Sequence, residues 1–312
     1  MRIIFMGSAG FACPSLERVL LDGRDEVVAV VTQPDRPKGR NLERSACPVK
    51  HYLGDRAIPV LTPEKVNTTE SLALLSELKP DVLVVVAYGQ LLKPALLAIP
   101  AKGCINVHGS LLPQYRGAAP IQWAVARGER VTGVTTMHVN ERLDAGDMIL
   151  KREVAIEEDD TGGTLHDKLA SAGAEVLSAT LDLIRAGNAP RWPQDEARAT
   201  LAPKLKKIDG RIDWGWPAAT IHNRVRAFNP WPSCFCEAPG EPGRFVKILK
   251  TRVEPGCGKP GMVIDVTGEG PLIQAGDGLA LRLREVQPEG RRPMSGAAFL
   301  CGHALQIGDI LG

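Results

Sequence analysis

Three short, uninterrupted apolar runs, set between helical patterns, constrain this chain more than any other feature. Residues 2–6, 27–32 and 82–87 are built almost wholly from Ile, Val, Leu, Ala, Phe and Met, with no alternation of polar positions. A strand with one face in water alternates, whereas a strand covered on both faces does not, so these runs predict buried strands of a parallel sheet. Residues 11–21, 48–55 and 69–78 carry helical patterning, the last ending before Pro80. Further strands are predicted at 104–108, 133–139 and 148–156, with a helix at 121–127 and a long one at 164–186 that stops at Gly187. Alternation of this kind gives an open, mostly parallel, Rossmann-like α/β sheet, whose ligands bind beyond the carboxyl ends of the strands.

The pattern changes after residue 189. Residues 188–203 contain Pro190, Pro193 and Pro203 without periodicity and read as an extended linker. Beyond them a helix is predicted at 217–227, then short alternating segments at 244–253, 261–266, 272–275 and 279–286, punctuated by Gly268, Gly270, Gly276 and Gly278. That is the signature of a small OB-like β-barrel, an architecture used to hold polynucleotides. The expected division is a catalytic domain at 1–189, a basic linker at 190–205 and an OB-like domain at 206–312.

Composition excludes several classes. With 44% hydrophobic and 24% charged residues the 312-residue chain is globular, and its few aromatics imply an aliphatic core. Its longest apolar stretch, residues 82–88, falls far short of the roughly 18 residues a spanning helix needs. Residues 3–6, closed by Gly7, are too few for a leader core of about 7 to 15, so a cytoplasmic protein is expected. Seven cysteines form an odd set without a C-x-x-C pair, which predicts reduced thiols, with Cys234 and Cys236 packed in a strand. The net charge of +2 conceals two basic clusters. One, within residues 34–50, sets Arg36, Lys38, Arg40, Arg44 and Lys50 against Asp35 and Glu43; the other is Lys204, Lys206, Lys207 and Arg211. Such clusters suit a phosphate-rich partner.

Gly7-Ser8-Ala9-Gly10 lacks the G-x-G-x-x-G spacing, and the second strand runs into Thr32-Gln33-Pro34 where a ribose-binding acid would stand. A nicotinamide dehydrogenase is therefore disfavoured. More informative are Asn106 and His108, two residues apart in a predicted strand and so on one face at its end. A neutral amide donor beside an imidazole can stabilise an oxyanion on a carbonyl under attack. Asp144, in the glycine-bearing run Leu143-Asp144-Ala145-Gly146-Asp147, could orient His108 or relay a proton, and Asp147 reads as a cap of the next strand. Sequence spacing alone does not bring Asp144 to His108. His108, His138 and His166 show no metal-ligand spacing, and no metal is expected.

The run Gly103-Cys104-Ile105-Asn106-Val107-His108-Gly109-Ser110-Leu111-Leu112-Pro113, continued by Tyr115-Arg116-Gly117-Ala118-Ala119-Pro120-Ile121-Gln122, resembles the signature of the folate-dependent formyltransferases. Further resemblances follow in chain order: Val31-Thr32-Gln33-Pro34-Asp35-Arg36-Pro37, Val84-Val85-Val86-Ala87-Tyr88-Gly89, Leu143-Asp144-Ala145-Gly146-Asp147-Met148, Arg211-Ile212-Asp213-Trp214 and Arg226-Ala227-Phe228-Asn229-Pro230-Trp231-Pro232. The most similar branch acts on the amino acid carried by initiator tRNA. The resemblance implies a monomer that moves the formyl group of 10-formyltetrahydrofolate, its co-substrate, to the α-amine of methionine on that tRNA. It implies that Asn106, His108 and Asp144 form the catalytic trio. Ser110, Leu111, Leu112 and Pro113 would line the folate pocket, with backbone around Val86, Tyr88 and Gly89 against the pterin. The loop at residues 34–48 would enter the acceptor stem with Arg40 as its key basic residue, while Arg36, Lys38, Lys204, Lys206 and Lys207 touch phosphate or sugar. Two departures stand out: Ser8-Ala9-Gly10 replaces the family's usual Thr-Pro-acid, and Gly39-Arg40-Asn41-Leu42-Glu43 is less basic than is common. The nearest alternative acceptor is a sugar-nucleotide amine, against which the Asn229-Pro230-Trp231-Pro232 form and the basic linker argue.

Overall fold

The apolar runs become the centre of a seven-stranded sheet. In the computed structural model, which describes residues 1–38, 43–238, 243–302 and 305–312, the chain opens with β1 (Arg2–Gly7), α1 (Cys13–Asp22) and β2 (Glu26–Val31). A hairpin of β3 (Arg36–Lys38) and β4 (Glu43–Ser45) follows, then α2 (Pro48–Leu53), β5 (Val60–Leu61), α3 (Thr69–Glu77), β6 (Val82–Val86), α4 (Pro94–Leu97) and β7 (Cys104–His108). Next come β8 (Arg116–Gly117), α5 (Pro120–Ala126), β9 (Val131–His138), β10 (Met148–Ala155), the long α6 (Gly162–Arg185) and β11 (Leu201–Ala202).

The strand order is β10-β9-β7-β6-β1-β2-β5. β1, β2, β5, β6 and β7 are mutually parallel, whereas β9 runs antiparallel to β7 and β10 antiparallel to β9. Ile3, Ile4, Phe5, Val30, Val31, Leu83, Val84 and Ile105 lose all contact with solvent. Burial of each such side chain contributes about 1.5–3 kcal/mol. The helices are bounded by local chemistry. Pro14 sits in the first turn of α1 and Gly23 ends it in the left-handed conformation at φ 59°. The Thr68 hydroxyl accepts from the Ser71 amide to cap α3.

Two compact units divide the chain: Met1–Pro120, Val131–Ala155 and His166–Ala202 form the first, and Ile121–Arg130, Ile156–Leu165 and Pro203–Gly312 the second. Residues 190–202 therefore belong to the first unit, although their prolines read as linker. β11 pairs with β8, and Trp192 bridges Met148. Proline density in this stretch marks the lack of α-helix, not a lack of packing: a 3-10 turn at Glu196–Arg198 is capped by the Asp195 side chain.

The second unit contains α7 (Ala218–Ala227), β12 (Cys234–Glu237), β13 (Phe245–Pro255), β14 (Val263–Asp265), β15 (Leu272–Gln274), β16 (Leu279–Pro288), β17 (Met294–Ser295) and α8 (Gly296–Gly302). Its antiparallel, OB-like sheet runs β12-β13-β16-β15-β14, with β17 also on β16; among the described residues β12 and β14 do not pair. Register shifts around Lys250 bend β13. Cys234 and Cys236 are buried on β12, and burial pushes both thiols up to about 12. Among the described residues, no helix is long and apolar enough to cross a membrane.

Candidate active site

β7 lies between β6 and β9, and its rungs fix the site. Asn106 stands level with Val85 on one side and Met137 on the other, and His108 pairs with Thr135. The pleat therefore sends both polar side chains to one face. Asn106 is half-buried, and among the described residues its amide has no protein partner. His108 is buried, with Nε2 2.9 Å from the Tyr115 carbonyl oxygen. A carbonyl only accepts, so Nε2 carries the hydrogen and Nδ1 is the nitrogen turned toward Asp144. The distance from Nδ1 to Asp144 Oδ2 is 3.7 Å.

That approach is not automatic. Because β9 is antiparallel, its last residue, His138, lies opposite Ile105 rather than His108. The loop at residues 139–147 leaves from the far end of β7's polar stretch and must cover roughly 10 Å, at about 3.3 Å per residue, to place Asp144. It does so by folding back over the sheet. The Gly117 amide donates to Asp144 Oδ2 at 2.8 Å, and a Cβ at Gly146 would overlap the His138 carbonyl, so only glycine allows the close pass. Asp144 takes φ 49°, and Ala87 and Tyr115, in the loops after β6 and β7, take φ 47° and 60°. Left-handed backbone in residues other than glycine marks the three loops nearest the polar patch.

The segment expected to hold folate is itself tightly held. Ser110 is fully buried and its hydroxyl donates to the Gln114 carbonyl at 2.6 Å, so this side chain closes the turn. Thr135 clamps the same loop, donating to the Ser110 carbonyl at 2.7 Å and accepting from the Leu112 amide at 3.1 Å. Lys151 donates to the Leu112 carbonyl. Leu112 packs with Met137 and Met148, Pro113 is buried behind a cis peptide bond, and Leu111 is half-buried. On β6 and beyond, Val86 is buried and Gly89 exposed with φ 90°. Tyr88 turns its ring into the core beside Ile4, Met6 and Leu83, where burial pushes its phenol up to about 12. Its backbone carbonyl accepts from Ser8 Oγ and Gln33 Nε2, both at 3.3 Å.

Sequence reasoning did not single out Thr135, Arg116, Gly117 or Gln194. Arg116 and Gly117 lie inside the long motif, whereas Gln194 has no neighbouring pattern to announce it. Of the basic residues, Arg36 is exposed on β3, beside Lys38, and Lys204, Lys206 and Lys207 are exposed in the second unit. Lys50 and Asp35 pair at 2.7 Å at the foot of the β3–β4 hairpin. Arg40 lies outside the described residues. Among the described residues, no group of three or more His, Cys, Asp or Glu side chains could hold a metal ion.

The first unit is an α/β domain whose mostly parallel sheet sets an amide, an imidazole and a carboxylate near one strand end. The family described as "Formyl transferase" matches residues 1–181, and "Formyl transferase, C-terminal domain" matches residues 204–304. The chain is 47% identical over 312 residues to a "Methionyl-tRNA formyltransferase" of Geobacter metallireducens, covering 100% of this chain and 99% of that one. It is 48% identical over 314 residues to another of Caldanaerobacter subterraneus subsp. tengcongensis, covering 100% of both. Among solved structures, the sugar 3N-formyl transferase WlaRD, in the presence of dTDP and 5-N-formyl-THF, shares the fold with TM-score 0.69 at 18% identity, over 94% of this chain and 99% of that one. HypX from Aquifex aeolicus in complex with tetrahydrofolic acid gives 0.64 at 20% identity, over 96% of this chain and 47% of that one. The chain belongs to the formyltransferase family, in its methionyl-tRNA formyltransferase branch.

Proposed function

We infer that the protein transfers the formyl group of 10-formyltetrahydrofolate to the α-amino group of methionine on initiator tRNA, yielding N-formylmethionyl-tRNA. The observation that carries this reading is full-length identity near one half to relatives of that name. The free amine attacks the formyl carbon, the tetrahedral oxyanion collapses, the bond to N10 breaks and the proton shed by the amine ends on N10. Asn106, whose amide is free to donate, stabilises the oxyanion, and the adjoining His108, whose Nε2 hydrogen is held by Tyr115, joins it once Nδ1 has taken up the proton shed by the amine. Asp144 keeps the imidazole turned and assists the proton's passage. Leu111 and Gly89 reach the folate through exposed surface, while Ser110, Leu112, Pro113, Val86 and Tyr88 contribute backbone and shape. The reading assigns residues 1–189 to catalysis and residues 206–312 to tRNA, with 190–205 joining them, in a cytoplasmic monomer.

Arg36, Lys38, Arg40, Lys204, Lys206 and Lys207 grip phosphate and sugar, contacts that position tRNA without reading its sequence. Arg40→Ala is therefore expected to impair use of initiator tRNA or its discrimination from elongator tRNA. Steady-state rates with charged tRNA and with a minimal aminoacyl substrate check this. Equal impairment on both would remove Arg40 from tRNA recognition.

The decisive experiment incubates purified protein with 10-formyltetrahydrofolate and either charged initiator or charged elongator tRNA. Selective formylation of the initiator is the expected result. Formylation of neither, or preference for a sugar-nucleotide amine, would overturn the reading.

A further inference from the structure

We propose that Gln194 is a positioning residue for Asp144, coupling the segment after α6 to the chemistry. The proposal rests on the formyl-transfer reading and extends it to a residue that touches no reacting atom. Gln194 Nε2 donates to the backbone carbonyls of Asp144 and Gly146, both at 2.8 Å. Its Oε1 accepts from Arg116 Nε at 2.9 Å and Nη2 at 2.7 Å. Arg116 is buried and forks onto Glu196 at 3.0 and 3.1 Å, and its backbone amide donates to the Thr200 carbonyl at 2.8 Å. The amide of the next residue, Gly117, binds the Asp144 carboxylate at 2.8 Å. Asp144 is thus held twice, by its carboxylate and by its carbonyl, and both holds trace back to residues 116–117.

The second hold matters because of the backbone it restrains. Asp144 sits at φ 49°, a left-handed conformation that is strained outside glycine and persists only where its surroundings over-determine it. Gln194 is half-buried while Arg191, Trp192, Pro193, Asp195 and Glu196 around it are exposed, so its side chain is the one in this stretch turned inward. A primary amide is the group that offers donors to two carbonyls and an acceptor to a guanidinium at once. Without it the loop relaxes, and the carboxylate leaves its approach to His108.

The test compares wild type, Gln194→Ala, Gln194→Glu, Asp144→Asn and the Gln194→Ala/Asp144→Asn double variant in formylation of methionyl initiator tRNA, with thermal melting alongside. Gln194→Glu retains the acceptor for Arg116 but presents no donor to the two carbonyls, so it keeps the anchor while removing the hold. Both Gln194 variants should lose kcat roughly 10- to 100-fold, the scale of a displacement of about 1 Å in a reacting geometry, with KM for the formyl donor unchanged. In the Asp144→Asn background the Gln194→Ala change should cost nothing further, because the two act as one unit. A merely structural loss would multiply through both backgrounds. Wild-type kcat in either Gln194 variant, or an equal factor lost in both backgrounds, overturns the proposal. An inactive wild type would instead overturn the formyl-transfer reading beneath it.

Discussion

Replacing Asn106 with alanine lowers kcat for formyl transfer about 100- to 1000-fold, the usual loss when one oxyanion donor is removed, and leaves the melting temperature near that of the wild type. The second half of the expectation follows from the surroundings: the amide is half-buried and has no protein partner among the described residues, so its loss strands nothing. His108→Ala should show a comparable kinetic loss, but it also releases the Tyr115 carbonyl and takes the imidazole away from Asp144. Asn106→Ala is therefore the cleaner probe. Single-turnover formylation at saturating donor isolates the chemical step. Near-normal turnover in purified Asn106→Ala would remove the amide from the transition state.

Arg282→Ala should destabilise the second unit by about 3 kcal/mol, at the lower end for removing one partner of a buried ionic cluster. Arg282, on β16, is only 9% exposed. Its guanidinium binds Glu254 at 2.9 Å, Asp265 at 2.7 Å, and the Thr267 and Gly270 carbonyls at 3.1 and 2.8 Å. Removal leaves two carboxylates and two carbonyls short of donors; Arg252 still serves Glu254, and Thr267 still serves Asp265, which moderates the loss. Hydrogen bonding from Arg282 holds both carboxyls below their ordinary values of 4.5 and 3.8. Their contribution to stability is fully present above those values and is lost as pH falls through the lower folded-state values. Denaturant unfolding of the wild type should accordingly weaken as pH drops below about 4, and the variant should show a shallower acid dependence from a lower plateau. Identical unfolding midpoints at pH 7 would refute the cluster's role.

The strands of the parallel core were legible because sustained apolarity has few other uses in a chain of this length. Residues 2–6, 27–32, 82–87 and 104–108 fall within a residue or two of β1, β2, β6 and β7. Strand direction was not legible: β9 carries the same burial signal whichever way it runs, and its antiparallel pairing emerges only from tertiary packing. The two-residue β5, β8 and β11 are too short to leave a period. Asn106 and His108 were readable as a pair because the pleat is local, whereas their meeting with Asp144 depends on a loop path that no spacing encodes. Tyr88 shows a further limit, since a motif locates a residue but does not say whether its ring or its backbone faces the ligand. Gln194 was invisible because a side-chain amide in a proline-rich stretch looks like solvent-facing filler.

The reversal at β9 has a bearing on how enzymes of this build can be altered. A carboxylate delivered by the loop at residues 139–147, between two adjacent strands, is separable from the frame that carries the amide and imidazole. The closure entropy of a longer connection is small, about 0.6 kcal/mol for each doubling of a flexible loop, so the cost of a change there lies in the Gly117 and Gln194 hydrogen bonds that hold residues 144–146. Insertions or deletions between His138 and Met148 would therefore retune the acid's reach without re-registering a single strand.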